Sequence, residues 1–86
     1  MVSQADRISK AIAWYEANRE EIAAALPLTH QGTTWTPAVL NFQDDAIAKY
    51  RDGEIGKKLA EVYVLNSIRR LYRAFERSKK EVKSGE

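Results

Sequence analysis

Arg69, Arg70, Arg73, Arg77 and Lys80 stand close together near the end of the chain, spaced so that a helix would gather them. At about 100° per residue they share one side, while Ile68, Leu71, Tyr72 and Phe75 fall on the other, with Val64 and Val82 in phase. A solvated helix face ordinarily mixes signs, because Glu–Lys pairs one turn apart stabilise it. Here only Glu76 and Glu81 interrupt the positive charge, and Glu76 sits at the edge of the cationic arc. The chemistry open to such a face is phosphate contact. Each neutralised phosphate releases condensed counterion, and the planar Arg fork spans two oxygens at once. Arg can also grip guanine in the major groove. The plainer reading is a solvated terminal helix whose charge is balanced by acidic residues elsewhere.

Other side chains offer less. Trp14 lies off the apolar stripe of its own helix, near Lys10 and Glu21, where it is an exposed anchor for a partner, or part of a helix buried on a wide arc, or a ring covered by the Lys10 stem. Asp44 and Asp45, with Asp52 and Glu54 further on, form an acidic patch. Neighbouring helical residues point about 100° apart, so the two aspartates do not share a catalytic site, and a solvated or protein-docking patch is the expectation. His30 is the only histidine and has no carboxylate cluster near it in sequence, so it is not expected to ligate a metal, and the lack of cysteine rules out a Cys-based metal site and a disulfide. No phosphate-cradling glycine loop, nucleophile elbow or Ser/His/Asp grouping is present. The chain is therefore expected not to be an enzyme and to need no cofactor or metal.

The elements that must hold these residues are helical. Ser3 or Asp6 can cap a first helix whose Ile8, Ala11, Ile12, Tyr15, Ile22 and Leu26 share one face. Asn18-Arg19-Glu20-Glu21 has the form of a second start signal, but the apolar phase runs through it, so one continuous helix is predicted. Pro27 ends it. Leu28 to Thr34 reads as a polar loop with no strand. Trp35, just before Thr36-Pro37, is placed to pack onto Leu40 as a staple residue. Thr36-Pro37 starts a second helix, with Thr at the cap and Pro at the first helical position. Val39, Leu40, Ala46, Ile47 and Tyr50 are its buried face, and Gly53 ends it. A third helix runs from Lys57 to about Lys83 with a break in phase, since Leu59, Val62 and Tyr63 project away from the side of Ile68 and Phe75. Either a bend or restart within residues 60–66, or burial of the first half on all sides, would account for that. The expected fold is all-α, a small bundle of three or four helices forming one domain over residues 1–83, with a frayed tail at 84–86. Its predicted core includes Ile12, Tyr15, Ile22, Leu40, Ile47, Leu71 and Phe75.

At 86 residues the chain holds one domain with a modest core. Net charge is only +2 but unevenly spread. From Leu65 onward bases exceed acids by four, whereas from Met1 to Gly56 acids exceed bases by three. Such asymmetry bears on partners rather than on fold. No apolar run approaches the roughly 18 residues of a membrane span, and the first residues lack a secretory pattern, so a soluble cytoplasmic protein is expected.

The order Trp14-Tyr15-Glu16-Ala17-Asn18-Arg19-Glu20-Glu21-Ile22, then Thr34-Trp35-Thr36-Pro37-Ala38-Val39-Leu40, then Gly56-Lys57-Lys58-Leu59 and Ser67-Ile68-Arg69-Arg70-Leu71-Tyr72-Arg73, resembles small helical proteins of plasmids, integrative elements and phages. Several of those carry a helix-turn-helix-like core. The likeness is one of order and spacing. It departs from that pattern after Tyr50, where Gly53 and Gly56 stand and no short polar recognition helix follows. It implies a mobile-element accessory or regulatory protein, and with the cationic face the leading expectation is one that binds nucleic acid, chiefly duplex DNA, through Arg69, Arg70, Arg73, Arg77 and Lys80. The alternative expectation is a protein-interaction module, such as an inhibitor of a host or defence complex, docking through that basic face on an acidic protein surface or through Trp14, Asp44 and Asp45. A third is self-assembly, with a homodimer as its simplest form.

Overall fold

Ser3 caps the first helix by accepting the Asp6 amide on its Oγ at 3.2 Å, which satisfies one of the amide donors that a helix start leaves open. In this computed structural model, which describes the backbone of residues 3–84 and the side chains of residues 3–80, α1 then runs unbroken over Gln4–Ala25. Asn18 does not restart it. Its Nδ2 donates back to the Trp14 carbonyl oxygen at 2.9 Å, so the side chain follows the helix rather than capping a new one. Ile8, Ile12, Tyr15 and Ile22 form the buried stripe.

The segment read as a loop is a β-hairpin, which corrects the expectation of no strand. β1 (Leu28–His30) pairs antiparallel with β2 (Thr33–Trp35) in the register Leu28↔Trp35, Thr29↔Thr34 and His30↔Thr33. Gln31 and Gly32 make the turn with φ of 50° and 81°. Two successive positive φ values match the right-handed twist of the strands, and Gly32 accepts that geometry without strain. The Thr29 and Thr34 hydroxyls meet across the strands at 3.1 Å. Leu28 and Trp35 turn inward as a buried non-polar pair, and β1 packs on the C-terminal helix.

α2 (Pro37–Arg51) starts as the sequence predicts, with Thr36 Oγ1 accepting the Val39 amide at 3.4 Å and Pro37 at the first position. Gly53, at φ 79°, follows its end. The final rod comprises α3 (Lys57–Ala60), a π-helical turn over Glu61–Asn66, and α4 (Ser67–Ser84). The π turn explains the break in apolar phase. Wider turns let Ala60, Val64 and Ile68, spaced by four, all face inward, whereas Leu59, Val62 and Tyr63 remain exposed. A π turn disturbs the regular carbonyl ladder. Gln43, the buried polar residue of α2, supplies Nε2 to the Tyr63 carbonyl oxygen at 3.1 Å, while its Oε1 accepts the Ser67 hydroxyl at 2.6 Å.

The architecture is thus mostly helical, with three helical rods and one small ribbon around a single core. Ile12, Tyr15, Ile22, Leu40, Ile47, Leu71 and Phe75 are all buried, as their stripes predict. Trp35 is buried in the same core as Leu40. Tyr72 is the exception on α4: it lies at the edge of the stripe and remains 46% exposed. Among the described residues no helix is long and apolar enough to cross a membrane. Of the expected frayed tail at 84–86, Ser84 closes α4, while residues 85–86 and the side chain of Val82 lie outside what the structure describes.

Candidate binding groove between the first and last helices

The i, i+3, i+7 spacing of Arg7, Lys10 and Trp14 puts them on one side of α1. Opposite, α4 presents Tyr72 flanked by Arg69 and Arg73, themselves one helical turn apart. The two sets line an open groove of about 520 Å³. Ala11, Leu65 and Ile68 form its base, of which Leu65 and Ile68 are buried. Trp14 is half-buried. Its ring meets Tyr72 edge-to-face at 5.1 Å between centroids and 72° between planes, and Phe75 at 6.3 Å and 64°. Offset and edge-on ring geometries of this kind are favourable because the positive edge of one ring meets the negative face of the other. Trp14 is therefore part of the joint between α1 and α4 as well as a lining residue of the groove.

The rim is wholly cationic. Arg7, Lys10, Arg69 and Arg73 are exposed, and no carboxylate lines the groove. Arg70, Arg77 and Lys80 are exposed further round α4, so all five cations expected from the sequence lie at the surface. Among the described residues no carboxylate pairs with Arg7, Lys10, Arg69, Arg70 or Arg73. At the other edge of α4, Lys79 lies 4.5 Å over the Phe75 ring and 3.7 Å from Glu76.

Asp44 and Asp45, read as a docking patch, stand elsewhere and are engaged within the molecule. Asp44 takes Arg19 Nη2 at 2.7 Å and Arg19 Nε at 3.0 Å on Oδ2, and the Tyr15 hydroxyl at 2.7 Å on Oδ1. The Leu40 carbonyl oxygen is a second acceptor for that hydroxyl at 3.2 Å. Burial disfavours the charged Asp44, but hydrogen bonds from Arg19 and Tyr15 outweigh it and hold its carboxyl below its usual value. Burial, with the Asp44 carboxylate beside it, pushes the Tyr15 hydroxyl well up. Asp45 points another way and pairs with Lys49 at 3.2 Å. Arg51 grips Glu16 with both terminal nitrogens, at 2.8 and 2.7 Å, and those hydrogen bonds lower the Glu16 carboxyl. Tyr15, Glu16, Arg19, Asp44 and Arg51 line a second cleft, between α1 and α2.

His30 lies half-buried at the end of β1 with Nδ1 unpartnered. Among the described residues no three His, Cys, Asp or Glu side chains are placed to hold a metal ion. Sequence reasoning missed Arg7, Lys10 and Tyr72 as site residues. Counting charge by chain segment assigned Arg7 and Lys10 to an acidic half, although their helical spacing to Trp14 carried the signal. Comparison with protein-family models, with curated proteins and with solved structures finds no match to this chain.

Proposed function

We propose that this protein is a small nucleic-acid-binding accessory or regulatory protein of the mobile-element kind, which contacts phosphates through the cationic side of α4. Arg69, Arg70, Arg73, Arg77 and Lys80 carry that contact, and Arg7 and Lys10 extend it onto α1. The observation that supports this most is the division of the cations. Arg19, Lys49 and Arg51 are spent on carboxylates of the fold, whereas Arg7, Lys10, Arg69, Arg70 and Arg73 have none among the described residues. Unpaired guanidinium groups on two adjoining helices suit a polyanion, because each can take two phosphate oxygens without first giving up an internal partner. If about four phosphates of B-DNA are contacted, log affinity falls with log salt at a slope near −3.6. A titration of duplex DNA across salt concentrations, followed by fluorescence anisotropy, measures that slope. Failure to bind either duplex or single-stranded DNA at about 50 mM salt, where phosphate contacts are strongest, overturns the reading.

A second reading is docking of an acidic protein surface in the same groove, favoured by the exposed Tyr72 ring among the rim cations. It predicts no affinity for DNA at physiological salt and co-purification with a protein that reversal of Arg69 and Arg73 abolishes.

A further inference from the structure

Resting on the phosphate-contact reading above, we infer that the groove between α1 and α4 takes an unpaired nucleotide, its base stacked against Tyr72 beside Trp14 and its flanking phosphates held by Arg7 and Lys10 on one wall and Arg69 and Arg73 on the other. The favoured ligand is then single-stranded or looped nucleic acid rather than continuous duplex.

Two properties of the groove select this occupant. One is the kind of apolar surface it presents. Leu65 and Ile68 at its base are 4% and 1% exposed, so they offer a partner almost nothing. The accessible apolar surface is aromatic: Tyr72 at 46% exposure and the half-buried Trp14. An amphipathic helix seeks pockets for several aliphatic side chains along its stripe, whereas a planar base needs one ring face, and every base has a face to offer. The edge-to-face contact with Trp14, at 72°, fixes the Tyr72 ring, which holds it ready at small conformational cost. The other property is the placing of charge. Cations stand on both walls about the rings, with no carboxylate between them. A strand whose base is turned inward has a phosphate on either side of it, and this arrangement meets both. A cavity of about 520 Å³ lies within the range of small-ligand sites, ample for a base and its sugar.

The test uses labelled single-stranded and blunt duplex oligonucleotides of equal length at one salt concentration. The parent is expected to prefer the single strand. Tyr72→Ala should weaken single-strand binding about 5- to 100-fold, the span of one lost base–aromatic stack, and leave duplex binding nearly unchanged. Tyr72→Phe should retain it. Arg7→Glu, on the wall that the α4 face does not include, should weaken it too. Since Trp35 is buried at 3% exposure, quenching of tryptophan fluorescence on binding reports Trp14. Tight single-strand binding by Tyr72→Ala overturns the inference, and so does a parent that prefers duplex, although phosphate contact by α4 then stands. Binding of neither nucleic acid overturns both readings. Tyr72-dependent binding of a glutamate-rich amphipathic peptide in place of nucleic acid assigns the groove to a protein partner and likewise overturns the inference.

Discussion

α1 has a cleft on either side of it, each of about 520 Å³, and the two use charge in opposite ways. Toward α2, Arg19 and Arg51 reach across to Asp44 and Glu16, and Tyr15 adds its hydroxyl. Charge there closes on itself and ties two helices together. Toward α4 the helices are joined by rings, Trp14 against Tyr72 and Phe75, and among the described residues no carboxylate pairs with the cations on the rim. Like charges facing each other across a groove repel, so this side gives up some stability that an opposing pair of signs would supply. The contrast separates residues that hold the fold from residues open to a partner, although both sets are arginine-rich.

The largest effect is expected from the core that both sides share. Leu71 is 1% exposed, and Leu71→Ala should cost roughly 2–5 kcal/mol in chemical denaturation, a large fraction of a small domain's stability. A parental midpoint would show that α4 is not seated as described. Next comes the π turn. Gln43→Leu removes the donor to the Tyr63 carbonyl oxygen and the acceptor of the Ser67 hydroxyl, and should cost about 1–3 kcal/mol by leaving those groups unsatisfied. Unchanged stability would mean that solvent can replace Gln43 there.

The paired cleft should be more modest, since Arg19 and Asp44 side chains are 35% and 41% exposed and solvent screens them. Asp44→Asn is expected to cost no more than about 1 kcal/mol. The sign with pH follows from the direction of the shifts. Asp44 and Glu16 ionise more readily folded than unfolded, so their contribution is complete above the ordinary carboxylate range near pH 4 and fades as pH falls below it. Thermal melts from neutral to acid pH should show that loss in the parent and a shallower one in Asp44→Asn. Equal slopes would remove Asp44 from the account. The smallest effect on stability belongs to the groove: Arg69→Glu with Arg73→Glu should leave the midpoint within about 0.5 kcal/mol of the parent, because both are exposed and neither pairs with a described carboxylate.

Most of the helical frame was legible in the residues. Thr36-Pro37 and Gly53 mark boundaries through local chemistry, and Ile8, Ile12, Tyr15 and Ile22 mark a buried stripe through period alone. The hairpin was not, because strands of three residues are too short for alternation to show, and Gln31 stands where Asn is the usual turn signal. The π turn left a trace, the phase break at Leu59, Val62 and Tyr63, but the Gln43 side chain that satisfies it lies 20 residues away from Tyr63 in sequence. The cationic face of α4 was visible as a helical pattern. Its other wall was not, since only packing brings Arg7 and Lys10 against Arg69 and Arg73. The pairing that occupies Asp44 is equally non-local, joining residues 25 apart.

The most direct measurement compares reversal on the two sides of α1. Affinity for a single-stranded oligonucleotide and the denaturation midpoint are measured for the parent, for Arg69→Glu with Arg73→Glu, and for Arg51→Glu. The account predicts that the groove pair loses binding and keeps its stability, while Arg51→Glu keeps binding and loses stability as Glu16 faces a like charge. Undiminished binding by the groove pair would contradict it.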